Sequence, residues 1–153
     1  MDDAVKTKAL ALLNQILEQE LAGVVRYTHY SFLVFGFGRI PIVSWLRDQA
    51  GEALAHAQQA GEMITMLGDY PSLEIGPLLD SHQHDIRTIL QESMGTEAQA
   101  LDLYRQLLRV VEGHSVTLEE YARQMIYAEE VHAGEVDKML RRPGELAPAA
   151  FTV

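Results

Sequence analysis

"YAEEVHAGE" (127–135) sets Glu129 three residues ahead of His132. On a helix that spacing puts both side chains on one face, and bundle proteins use it to hold metal ions between facing helices. The surrounding pattern is helical as well. Leu118, Ala122, Met125, Glu129, His132, Val136 and Met139 recur at intervals of three and four, the stripe of an amphipathic helix. The stretch therefore predicts a helix that carries a carboxylate and an imidazole in slots belonging to the core.

Working outward, breakers divide the rest of the chain. "FGFGRIP" (35–41) is a Gly-rich stop whose Pro41 suits the first position of a new helix. "LGDYPSLEIGP" (67–77), "EGHSVT" (112–117) and "RRPGELAP" (141–148) are the other breaks. Helical periodicity between them predicts helices over about 5–34, 41–67, 78–112 and 117–141, with an irregular tail over 142–153. No alternating β pattern of useful length is present. The reading is an all-α single domain, a four-helix bundle with tight first and third turns and a long crossover between helices two and three.

Composition narrows the chemistry. The 153 residues suffice for one domain with a sizeable core. A net charge of −10 argues against a nucleic-acid surface and favours cations. There are no cysteines, which excludes disulfides, thiolate metal sites and a Cys nucleophile. That absence is compatible with a reducing cytoplasm. "MDDAVKTKAL" (1–10) has no apolar signal region. The most apolar run, "YSFLVFGFGRIPIVSWL" (30–46), is broken by Gly36, Gly38, Arg39 and Pro41, so no membrane span is expected.

Each stripe can then be searched for what interrupts it. Helix one reads Leu10, Leu13, Leu17, Glu20, Val24, Tyr27. Helix three reads Leu79, His82, Ile86, Ile89, Ser93, Glu97, Ala100, Tyr104, Leu107, Val111. With Glu129 on helix four, three carboxylates fall near mid-bundle, and no Lys or Arg shares their stripes. An unpaired buried carboxylate costs several kcal/mol or more, so it is neutralised, paired or metal-bound. A cation held by oxygen and imidazole resolves the conflict, and this ligand mix suits iron, manganese or zinc. The plain alternative for any one Glu is a misjudged stripe with the side chain in water.

Helix two decides whether such a site closes. In "GEALAHAQQAGEM" (51–63), Glu52 and His56 stand four apart, with Ala53 where a Glu-x-x-His carboxylate would fall. At about 100° per residue, Glu52 lies about 40° from His56 around the helix. Glu52 can thus reach a metal that His56 binds, from a different angle, and a π-bulge would bring it closer. Otherwise it is a solvated acid and the site is one carboxylate short.

These residues resemble the ferritin-like di-iron proteins, and bacterioferritin in particular. "LNQILEQELAGVVRY" (13–27) is similar to the family's helix-A motif, with Gly23 for Ala and Arg26 for Gln. "HAQQAGEMITMLGDYP" (56–71) is similar to its helix-B segment, and "EEVH" (129–132) to its helix-D ending. The similarity spans most of residues 10–141. It implies a di-iron ferroxidase centre with Glu20, His56, Glu97, Glu129 and His132 as ligands, whereas Glu52 aligns with an acidic inner-surface position of the family and is a candidate for the last place on helix geometry alone. Tyr27 resembles the family's Tyr beside that centre, in a role of hydrogen bonding or one-electron chemistry; a satisfied core Tyr is the alternative.

Departures from the family bear on function. The family's bridging helix-B Glu aligns with Ala53. The haem-ligand Met of bacterioferritin aligns with Leu54, which leaves haem uncertain, although Met63 and Met66 offer sulfur elsewhere. The tail "PGELAPAAFTV" (143–153) lacks the stripe of a fifth helix. The resemblance then implies a homo-oligomer of dimers, with a 12-subunit cage favoured over a 24-subunit one. "LLDSHQHDI" (78–86) clusters His82 and His84 with Asp80 and Asp85, either a secondary metal site or a solvated helix end. The expected activity is Fe(II) oxidation with Fe(III) storage, in the cytoplasm. The alternatives are a di-metal redox enzyme that stores nothing, or a bundle with a degenerate metal site.

Overall fold

The computed structural model describes residues 1–78 and 80–149. It contains four helices, α1 (Asp3–Leu33), α2 (Arg39–Met66), α3 (Ile86–Val111) and α4 (Val116–Leu140), and no strand among the described residues. Three helices open on a side-chain cap. Asp2 accepts from Val5 N, Asp85 from Thr88 N and Ser115 from Leu118 N, each satisfying one of the orphan donors of a first turn. Pro41 stands at the third position of α2 rather than the first. It still lies in the turn whose N–H groups have no partner in the helix, so its missing donor costs nothing there.

Helix α3 begins at Ile86, later than the expected start at residue 78. The stripe over 78–85 was misleading because Asp85, with an extended backbone, caps the helix through both the N–H and the hydroxyl of Thr88. Residues 80–84 belong to the crossover. Leu79, assigned to the helix-three stripe, and positions 150–153 of the tail lie outside the described residues. The described part of the tail has no helix.

The crossover is laid along α1. Ser72 N donates to Asn14 Oδ1, Gly76 N to Glu18 O, and Arg26 to Pro77 O. His84 Nδ1 then contacts Leu33 O at the far end of α1. The chain leaves α2 near the start of α1 and enters α3 near its end, so α2 and α3 run parallel. That connectivity, with tight turns on either side, is the ferritin-like four-helix bundle. Gly76 lets the crossover approach α1 closely: a Cβ there would meet Glu18 O and Gln19 Oε1 at 3.1 Å.

The core has a polar break at mid-height. Below it pack Leu13, Leu17, Ala57, Ile64, Tyr104, Leu107, Leu118 and Met125. Above it pack Tyr27, Leu46, Ala50 and Ile89 on one side, and Leu90, Met94, Ala133 and Val136 on the other. On every helix the break falls where the sequence places its carboxylate or His56.

Candidate metal centre

Glu20 of α1, His56 of α2 and Glu129 of α4 meet at the polar break, with one ligand atom from each within 4.8 Å of the others. Glu20 and Glu129 are 6% and 4% exposed, which removes the reading in which these two acids sit in water. His56 Nδ1 lies 3.5 Å from Glu20 Oε1 and 3.3 Å from Glu129 Oε1. Neither contact has hydrogen-bond geometry, and Nδ1 has no hydrogen-bond partner, nor has Glu129 Oε2. Buried polar atoms are almost always paired. Three ligand groups that converge without bonding to one another, two of them with an unpaired buried atom, suit a cation between them, so the residues present fit a metal ion.

The second half of the break is arranged differently. Tyr27 OH donates to Glu97 Oε1 at 2.8 Å and stands 3.4 Å from His132 Nε2. His132 stacks on Trp45 of α2, with ring centres 5.8 Å apart and planes within 6°. Tyr27 therefore joins Glu97 of α3 to His132 of α4. Glu20, Tyr27, Glu52, His56, Glu97, Glu129 and His132 all line one cavity of about 30 Å³, with Gln49 and Ala53. Glu52 is exposed and is not in the converging trio; Ala53 beside it is buried.

Electrostatics agree with the geometry. Burial pushes the Glu97 carboxyl up to about 8, helped by the Glu129 charge. Burial likewise raises Glu20, with His56 opposing. For His56, burial opposes protonation, but the Glu129 and Glu20 carboxylates 3.3 and 3.5 Å from Nδ1 outweigh it and hold the imidazole up to about 10. Protons thus serve as counter-charges for an acidic pocket in the metal-free protein, and a divalent ion would displace them.

Two supporting residues escaped the sequence reading. Tyr104, fully buried on α3, donates to Glu20 Oε1 at 2.8 Å and fixes that carboxylate. Its only signal was a tyrosine among Ala100, Leu107 and Val111 in the apolar part of its stripe. Trp45 carried none, since an indole on a helix reads as core. The Asp85 expected in a polar cluster is the α3 cap, and His84 stacks on Phe35. Leu54, at the position of the haem Met, is 44% exposed.

Comparison with known proteins matches a ferritin-like domain over residues 10–143. The chain belongs to the ferritin-like family. Its structure superposes on a ferritin-like di-iron-carboxylate protein of Bacillus anthracis strain Ames with a TM-score of 0.82 and 25% identity, covering 92% of this chain and all of that one. A Rhodobacter capsulatus bacterioferritin, described with a metal-free dinuclear site and haem iron, gives 0.81 at 23% identity, covering 92% and 86%. A dodecameric thioferritin, the bacterioferritin-related protein of Bacteroides fragilis, gives 0.79 at 20%, covering 88% and 85%. Comparison with curated proteins found no match. This ferritin-like chain thus has the di-iron-carboxylate fold and a Glu/His candidate metal group inside it.

Proposed function

We propose that this ferritin-like protein is a ferroxidase that oxidises Fe(II) and stores the Fe(III) product in a homo-oligomeric cage. The observation that carries the reading is the convergence of ligand atoms from Glu20, His56 and Glu129, with His56 Nδ1 and Glu129 Oε2 unpaired, in a cavity of about 30 Å³. That space holds ions and a water or two, whereas organic substrates need pockets of roughly 300 Å³ or more. Glu20, His56 and Glu129 would take one iron; Glu97 and His132, sharing Glu129, would take a second. Glu52 at the rim would receive arriving cations or complete the second set.

In the reaction, two Fe(II) each lose one electron to dioxygen, which takes up two protons and leaves as hydrogen peroxide. With peroxide as oxidant, its O–O bond breaks and two protons complete two waters. The carboxylates stabilise the higher charge of the product, and Tyr104 and Tyr27 hold Glu20 and Glu97 in place. Fe(II) as substrate implies a reducing compartment, the cytoplasm. A 12-subunit cage fits a described tail with no fifth helix, and the Bacteroides fragilis relative is dodecameric.

A second reading, a di-metal redox protein that stores nothing, has one observation in its favour: Ala53 leaves the place between the two halves without a carboxylate. Aerobic addition of Fe(II) in large excess separates the two. Hundreds of irons retained in a soluble cage support storage. Uptake that stops near two irons per chain, in a species no larger than a dimer, overturns it. Failure to retain any metal overturns both and leaves a degenerate site.

A further inference from the structure

A second pair of imidazoles lies outside the bundle centre. His29 of α1 and His82 of the crossover bring Nε2 and Nδ1 to 3.2 Å, with ring centres 5.2 Å apart. Neither ring has another hydrogen-bond partner among the described residues. They line a cavity of about 160 Å³ between α1, the crossover and α3, together with Arg26, Tyr30, Ser81 and Glu92.

We propose that His29 and His82 form a separate cation site under the crossover, one that takes a borderline transition-metal ion such as Zn(II) or Co(II). The argument is geometric. Two imidazole nitrogens ~2.05 Å from one tetrahedral ion stand about 3.3 Å apart, with ring centres about 5.2 Å apart. A collinear hydrogen bond between the rings, at the observed separation, would place the centres nearer 5.5 Å, at the sum of that length and two ring radii. The observed pair, with ring planes 57° apart, already has the bent arrangement that two imidazoles take around a shared ion. Binding needs only that the shared proton move to the far nitrogen of the ring that holds it.

The rest of the cavity completes the site without crowding it. Its volume admits several waters as further ligands. Glu92 supplies a negative charge from a fixed place, since Tyr30 OH donates to Oε1 and Ser81 Oγ to Oε2 at 3.0 Å. Arg26 lines the same cavity and offsets that charge, though its guanidinium donates to Pro77 O. Affinity therefore comes from the imidazoles, and it is lower than at the acidic bundle centre. The other polar residues of the segment are occupied elsewhere: Asp85 caps α3 and His84 contacts Leu33 O.

The test is anaerobic Co(II) titration of the full chain, followed by ligand-field absorption and calorimetry. His82→Ala and His29→Ala are compared with His84→Ala. The expected result is that the first two lose one weaker equivalent per chain, or bind it at least tenfold less tightly, while His84→Ala matches the unaltered protein. His82 is exposed, so its variant keeps the fold, which circular dichroism checks. An unchanged stoichiometry and affinity in His82→Ala overturns the proposal, as does loss of the same equivalent in His84→Ala. Fe(II) oxidation measured on the same samples reports the bundle centre separately, so the two readings fail independently.

Discussion

His56 Nδ1 stands 3.3 Å from Glu129 Oε1 and hydrogen-bonds to nothing. A pair this close and buried, yet not paired, marks a place shaped for a third partner. The bundle supplies its acids from α1, α3 and α4 and its bases from α2 and α4. No single helix holds a site; their register does.

The metal-free protein is expected to lose stability as pH rises. Folding raises His56 from 6.5 to about 10 and Glu97 from 4.5 to about 8. Each group binds its proton more tightly when folded, so each contributes stability fully present below its unfolded value and lost as pH passes its folded one. The signs agree, and the melting temperature of chelator-treated protein falls between pH 6 and pH 9. Zn(II) or Fe(II) reverses the trend, because bound metal needs the deprotonated ligands. At a hundredfold excess over Kd it adds about 2.7 kcal/mol. A metal-free melting temperature that rises over this range would overturn the prediction.

Tyr104→Phe tests what holds Glu20. The change keeps the ring and removes the donor to Oε1, leaving a buried carboxylate oxygen unpaired. Losing such a bond costs about 1–3 kcal/mol, or a fall of roughly 2–12 °C in melting temperature for a chain of this size. Metal affinity should fall as well, since a support residue typically matters 10- to 100-fold. A variant that melts and binds like the parent would show that Glu20 is fixed by packing alone.

Much of this was readable beforehand, for identifiable reasons. The stripes of α1, α2 and α4 were regular, and a carboxylate in an apolar stripe is visible because its cost is high. The start of α3 was not, since His82 and Ile86 continue a helical spacing across residues 80–84, which form crossover. The Asp85 and Thr88 pair was the better signal, a cap with its partner three residues on. His29 was invisible for a different reason: it lies on no core stripe, and its partner is 53 residues away. Pairing between an outer helix face and a crossover leaves no periodicity to read.

Gly76→Ala and Gly51→Ala should act in opposite directions. A Cβ on Gly76 would press on Glu18 O and Gln19 Oε1 at 3.1 Å and on Gln19 Cα at 3.2 Å, against the carbonyl that Gly76 N bonds. Pushing the crossover off α1 costs about 1–3 kcal/mol. Gly51 lies exposed within α2 with nothing within 4 Å, and Ala there adds about 0.5–1 kcal/mol. Thermal melts of the two variants decide it, and equal shifts would remove the claim that the crossover contact is tight.

Ala53→Glu is the sharpest test of the centre. Glu52, the acid the chain does have, is exposed and stands outside the trio. Ala53 is buried and lines the same cavity, so a carboxylate there enters from α2 between the two halves. If the second metal is weakly held because nothing bridges it, Ala53→Glu tightens the second equivalent about tenfold or more and leaves the first nearly unchanged. Glu52→Ala should slow Fe(II) uptake while keeping both equivalents. The same cavity sets the risk: overpacking costs about 1–3 kcal/mol, and metal should restore the loss. Calorimetric titration with Zn(II), two sites fitted, reads both variants. A second equivalent that Glu52→Ala abolishes, and that Ala53→Glu fails to improve, would make Glu52 the ligand and Ala53 a spacer.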